Sequence, residues 1–254
     1  MTGGRHPAYK SAVPDDTVIS TAHRWPRSAR AAAALQSRLA GRLEIRSGPR
    51  CVGLVAGADV AFTAGGTMLV AAIVILRHPG MEIVETSAVR RPVTFPYIPG
   101  LLSFREAPAI VAAWRRLRRR PDLLLCDGQG IAHPRGLGLA AHLGLLLGVP
   151  AIGCAKSRLC GTHDEPGPRR GDRAPLVLNG HVVGAVVRTR DRVRPLYVSP
   201  GHLVGVEAAV RWVLACGGGF RLPEPTRQAD RLVGRLAHGL PTTAAGIAIS
   251  IEAT

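Results

Sequence analysis

A chain of 254 residues, 46% of them hydrophobic, can bury one substantial core and is not a wholly disordered protein. Its 33 basic residues outnumber its 17 acidic ones, a net charge of +16 that favours a polyanionic partner over an acidic surface or a small neutral ligand. No apolar run nears the ~20 residues of a membrane helix, and five cysteines with no C-x-x-C pair argue against a zinc cluster or a disulfide framework and for a reducing cytoplasm.

Residues 1–26 read as a loose tail, polar at first and broken by Pro7 and Pro14, without the pattern of a signal peptide. Residues 27–43 predict a helix with Leu35, Leu39 and Leu43 on one stripe. Strands are expected at 51–62, at 67–76 after Gly65-Gly66, and at 83–89, which makes an antiparallel meander. Alternation follows: helix 104–119, strand 123–126, helix 134–147, strand 151–155, as parallel neighbours with right-handed crossovers require. The polar stretch 162–173 predicts an exposed loop, and Asn179-Gly180 a two-residue hairpin within 176–187. A short strand at 196–198, a helix at 203–215 closed by Gly217-Gly218-Gly219, and a last helix at 225–237 complete the pattern, with no role assigned to 238–254. The fold class is therefore α/β, a mixed sheet (meander plus parallel strands) with helices on both faces, and residues 27–237 form one domain between two tails.

The chemistry concentrates at Asp127-Gly-Gln-Gly-Ile-Ala-His-Pro-Arg135. A carboxylate at the end of an apolar strand, followed by two glycines that let a ligand approach the backbone, reads as a site. His133 and Arg135 add groups suited to phosphate oxygens. Asp59 lies in an apolar strand, where a carboxylate is costly unless paired or metal-bound, although Gly57 could end that strand and leave Asp59 in solvent. Ser103-x-x-Glu106 fits a capping box, and Glu106 could instead point at a metal. If the three carboxylates meet, they form a hard oxygen site for Mg²⁺ or Mn²⁺ able to serve phosphate chemistry. Lys156 ends an apolar strand, where it is either solvated or recruited to the site. The segment 96–99 is a proline-stiffened loop around Tyr97 and Ile98: a turn folded onto the core, or a wedge that enters a base stack beside a pocket begun by Gly100 and Leu102.

Val55-Ala-Gly-Ala-Asp-Val60, Pro96-Tyr-Ile-Pro-Gly-Leu-Leu-Ser-Phe-Arg-Glu106, Asp127 to Arg135, Ile152-Gly-Cys-Ala-Lys156 and Leu222-Pro-Glu-Pro-Thr-Arg227, in that order, resemble the endonuclease V family over residues 27–237. Ala58 and Cys154 stand where the family more often carries valine. The resemblance implies an RNase H-like fold and a Mg²⁺-dependent endonuclease of DNA repair, with Mn²⁺ able to substitute. Its substrate would be deaminated DNA, chiefly inosine-containing, cut at the second phosphodiester bond 3′ to the lesion to leave a 3′-hydroxyl and a 5′-phosphate. Inosine-containing RNA is the alternative substrate, and a non-cutting binding module the alternative class. The resemblance further implies that Asp59, Glu106 and Asp127 hold metal and that Lys156 is a catalytic lysine. Pro96, Tyr97, Ile98 and Pro99 would form a strand-separating wedge; Gly100, Leu102 and Gly128 would line a lesion pocket; His133 would lie near a phosphate; Asp230 would be auxiliary. The expected protein is a cytoplasmic monomer that does not engage membranes.

Overall fold

A computed structural model of the chain describes residues 23–239 and 247–251. Its centre is a nine-stranded mixed sheet. Strands β1 (Leu54–Phe62), β2 (Met68–Arg77) and β3 (Glu82–Pro92) form the expected antiparallel meander. After helix α2 (Leu102–Arg115), strand β4 (Leu123–Cys126) lies parallel to β1 on its other side. Helix α3 (Leu139–Leu147) then crosses to β5 (Ala151–Ala155), parallel to β4. Strands β6 (Arg173–Leu178), β7 (His181–Val187) and β8 (Leu196–His202) add antiparallel neighbours and β9 (Ile247–Ile251) closes the other edge, so that the order is β6-β7-β8-β5-β4-β1-β2-β3-β9. Asn179 and Gly180 both have positive φ, 52° and 79°, the two-residue turn that matches strand twist.

Strand β9 (Ile247–Ile251) pairs parallel with β3 at the sheet edge. Its alternation of isoleucine with small residues, Ile247-Ala-Ile-Ser-Ile251, is a short strand pattern in a segment with no role assigned from the sequence. Residues 23–26, expected within the loose tail, also make contacts: His23 Nε2 lies 2.8 Å from His142 Nε2 on α3. Residues 1–22 lie outside the described residues. No helix among the described residues is long and apolar enough to cross a membrane.

Both faces of the sheet are covered, which explains why β2, β4 and β5 read as continuous apolar runs. Ala56, Ala58, Ile73 and Ile75 pack under α2 and α3 with Ile110, Trp114 and Leu143. Val55, Val74 and Leu76 face α4 (Val206–Ala215) and α5 (Glu224–Ala237) with Trp212, Ala229 and Val233. Helix α1 (Ala29–Ala40) places Leu35 and Leu39 against Leu101, Phe104 and Leu137.

Successive residues of β1 alternate between faces, so Val55, Gly57 and Asp59 share the α5 side. Gly57 does not end the strand. A Cβ there would lie 1.9 Å from the Pro225 carbonyl oxygen, so only glycine lets the start of α5 rest on β1. Gly57→Ala should therefore displace α5, at a cost of about 1–3 kcal/mol. Its Tm should fall by several degrees, measured by thermal unfolding; a midpoint unchanged within one degree would contradict this packing.

Candidate active site

Asp59 and Asp127 become neighbours through the parallel register of β1 and β4. Ala58 pairs with Cys126, and the Asp127 N–H donates to the Ala58 carbonyl at 3.3 Å. Helix α5 brings Asp230 from a hundred residues further along the chain. Asp59, Asp127 and Asp230 each present a carboxylate oxygen within 4.8 Å of the other two. Glu106 joins from α2 and is 9% exposed. The capping-box expectation fails here: α2 begins after Leu101, Ser103 lies inside the helix, and its buried Oγ has no partner among the described residues. Glu106 is thereby released toward the aspartates.

The electrostatics follow from burial and crowding. Burial first, and then the Asp127 charge, raise the Asp59 carboxyl to about 7. Burial, then Asp59 and Asp127, raise Glu106 to about 8. Asp127 is raised by burial but restrained by Lys156. Lys156 Nζ lies 2.5 Å from Asp127 Oδ2 and 3.0 Å from Asp230 Oδ1. Burial alone would lower the Lys156 ammonium; its hydrogen bond to Asp127 and the charges of Asp127 and Asp230 overrule that, so it stays charged. The Arg221 guanidinium holds the Lys156 carbonyl at 2.5 Å, a support with no signature in the sequence.

Three aspartates converge near one ammonium, with Glu106 close enough to Asp59 and Asp127 to feel their charge, in partly dry surroundings where every donor is a hard oxygen. That set fits a divalent cation of the magnesium type. It also has a pH signature. Carboxyls raised on folding hold protons that the unfolded chain has released, so the contribution of Asp59 and Glu106 to stability is greatest in acid and declines from about pH 4.5 to about pH 8, whereas His133 and His142, kept neutral by burial, act in the opposite sense in acid. In EDTA the Tm of Asp59→Asn relative to wild type should rise from pH 5.5 to pH 8.5, and divalent cations should stabilise wild type more at the higher pH. A Tm difference between Asp59→Asn and wild type that is the same at both pH values would contradict the coupling.

Beside the cluster lies a pocket of about 400 Å³, lined on one side by Tyr97, Ile98, Pro99, Gly100 and Leu102, on another by Gly128 and His133, and opening onto Asp127 and Lys156. Its size falls within the ~300–1,000 Å³ of ligand sites. Tyr97 is 69% exposed and does not fold back; Phe95 fills that core position instead, against Phe104. Pro96 is exposed at the base of the loop. Gly128 meets the pocket, but the close approach at Gly130 is to the protein's own chain: a Cβ there would lie 2.1 Å from the Pro200 carbonyl oxygen. His133 is buried and spends both ring nitrogens within the protein, on the Gly100 carbonyl and the Arg135 N–H. Burial first, and then Arg135, lower it to about 4, so it is neutral. Gln36, Arg158 and Leu159 also line the pocket and were not legible in the sequence.

A family model described as Endonuclease V matches residues 37–231. A protein of Azotobacter vinelandii named endonuclease V is 54% identical over 213 residues, which cover 84% of this chain and 96% of the relative. The crystal structure of endonuclease V from Streptomyces avermitilis superposes with a TM-score of 0.80 at 41% identity, covering 84% of this chain and 94% of that one. Endonuclease V of Ciona intestinalis, crystallised with a 24mer DNA containing an inosine followed by a ribo-adenosine, superposes with a TM-score of 0.69 at 26% identity, covering 80% and 95%.

Proposed function

We propose, from the premise that this chain belongs to the endonuclease V family and is an endonuclease, that it cuts inosine-containing DNA in a Mg²⁺-dependent reaction at the second phosphodiester bond 3′ to the lesion. The observation that carries this reading is the continuity of the two sites: the pocket opens onto Asp127 and Lys156, so a base held in one sets its own strand against the other. The inosine-containing DNA bound by the Ciona intestinalis relative supports the substrate class.

Asp59, Glu106 and Asp127, with Asp230 as auxiliary, are the residues that would hold the cation, Mg²⁺ or Mn²⁺. A bound divalent cation would supply charge stabilisation at the phosphoryl oxygens and activation of the attacking water. The chain's own groups do the rest. Lys156 keeps its proton at Nζ and orients Asp127 and Asp230, and its ammonium is available to a phosphate oxygen. Pro96, Tyr97, Ile98 and Pro99 act as the wedge. Gly100, Leu102 and Gly128 receive the extruded base, and neutral His133 braces the pocket wall on the phosphate side. The cut leaves a 3′-hydroxyl and a 5′-phosphate.

The reading extends to a monomer working in the cytoplasm, in keeping with five free cysteines. One observation favours inosine in RNA as a second substrate: the nucleotide that follows inosine in the Ciona intestinalis complex is a ribo-adenosine. Incubation of matched inosine-containing DNA and RNA strands with Mg²⁺ decides between them. Faster cleavage of the DNA strand is expected; faster cleavage of RNA would reassign the substrate.

A further inference from the structure

Gln36 is an amide on α1 that is 1% exposed, in a helix face otherwise given to Leu35 and Leu39. Burying an amide costs free energy unless its polar atoms are paired. Here they are: Gln36 Nε2 donates to the Leu137 carbonyl at 2.7 Å and to the Gly100 carbonyl at 3.0 Å, while Oε1 accepts from Arg135 Nε at 2.5 Å. The Gly100 carbonyl is the centre of the network. It also accepts from Arg135 Nη2 at 2.7 Å and from His133 Nε2 at 3.0 Å. His133 Nδ1 accepts the Arg135 N–H at 3.1 Å, which assigns the ring proton to Nε2.

Gly100 is also where the wedge loop ends. Its φ is +76°, which favours glycine, and a Cβ there would lie 2.9 Å from Arg135 Nη2 and push that guanidinium off the Gly100 carbonyl. The turn closes with the Leu101 N–H on the Ile98 carbonyl at 2.9 Å. At the other end of the loop Arg105 Nη1 holds the Phe95 carbonyl at 2.9 Å. Between these two clamps the loop projects Tyr97 into solvent. A wedge on a loose footing would spend part of its binding free energy on ordering itself.

We infer that Gln36 is a positioning residue: its amide ties the Gly100 carbonyl to the 133–137 loop, so that helix α1 holds the wedge and the pocket wall as one rigid unit. This rests on the reading of 96–99 as wedge and of the adjoining pocket as the base site. Gln36 touches neither the carboxylates nor the reacting phosphate. Although it also lines the pocket, its amide is spent on Leu137, Gly100 and Arg135, so the exchange rates of the two loops separate positioning from direct contact with the base. Loss of its amide should therefore weaken engagement of substrate without altering the chemistry once substrate is bound.

The test compares wild-type protein with Gln36→Met, which keeps the volume and removes the amide, and Gln36→Glu, which keeps an acceptor for Arg135 and loses both donated bonds. Amide hydrogen exchange in 96–104 and 131–138 should quicken by about tenfold in both variants, with β1 and β4 unchanged. KM for an inosine-containing strand should rise about tenfold with kcat held within about threefold. A residue that served only stability would lower the active fraction and Tm and leave KM in place. Unchanged exchange in those two segments, or a lowered kcat at unchanged KM, overturns the inference. If Gln36→Met fails to fold, Gln36→Glu decides on the same readings. Wild-type protein that cuts undamaged and inosine-containing strands alike would sink the pocket reading instead, and the exchange data would still decide whether Gln36 holds the loops.

Discussion

Asp127→Ala is expected to reduce cleavage by on the order of 10³-fold or more, because the cation stabilisation it supports is worth several kcal/mol and each 1.36 kcal/mol is tenfold in rate. The variant should still fold. Asp127 is an ionised group in partly dry surroundings whose pKa is raised by burial, so its removal relieves a cost, and Lys156 retains Asp230 at 3.0 Å. It should also still bind DNA, since the charge of +16 is spread over arginines elsewhere on the chain. Turnover by purified Asp127→Ala within tenfold of wild type, at matched Tm and DNA affinity, would remove Asp127 from the reaction.

Tyr97→Ala should separate duplex from single-strand activity. A stacked base must be extruded before it can enter the pocket, at a cost of a few kcal/mol that a single strand largely avoids. Base–aromatic stacking is worth about 1–3 kcal/mol, so loss of the ring should lower kcat/KM on inosine-containing duplex by roughly 10- to 100-fold, and much less on the single strand. The exposure of Tyr97 makes a stability effect small. Equal losses on both substrates, together with a lowered Tm, would mean that Tyr97 anchors the fold and does not open the helix.

The elements legible in the sequence are those with strong local physics. The apolar runs at Leu123–Cys126 and Ala151–Ala155 are strands buried on both faces, and Asn179-Gly180 makes the expected turn. The helix boundaries are less local. The helix expected over 134–147 begins only at Leu139, because 127–138 is drawn tight against β8, with the Ile131 N–H on the Pro200 carbonyl. Ser103 has the spacing to Glu106 that fits a cap, but the helix starts two residues earlier, which leaves the Ser103 Oγ buried without a partner among the described residues and turns Glu106 toward the aspartates. The site divides in the same way. Asp127 announces itself through its flanking strand and glycines, whereas its pairing with Asp59 depends on inter-strand register, and Asp230 depends on how α5 crosses β1 at Gly57. Gln36 is one polar residue in a short amphipathic helix; only the convergence of Gly100, Arg135 and Leu137 upon it marks it out.

The most direct measurement is to map the cut on an end-labelled duplex carrying one inosine, with an undamaged duplex alongside, in Mg²⁺ and in EDTA. One product is expected, from cleavage of the second phosphodiester bond 3′ to the inosine, seen only with Mg²⁺ and absent from the undamaged duplex. Cleavage that persists in EDTA, or that falls equally on both duplexes, would contradict this assignment.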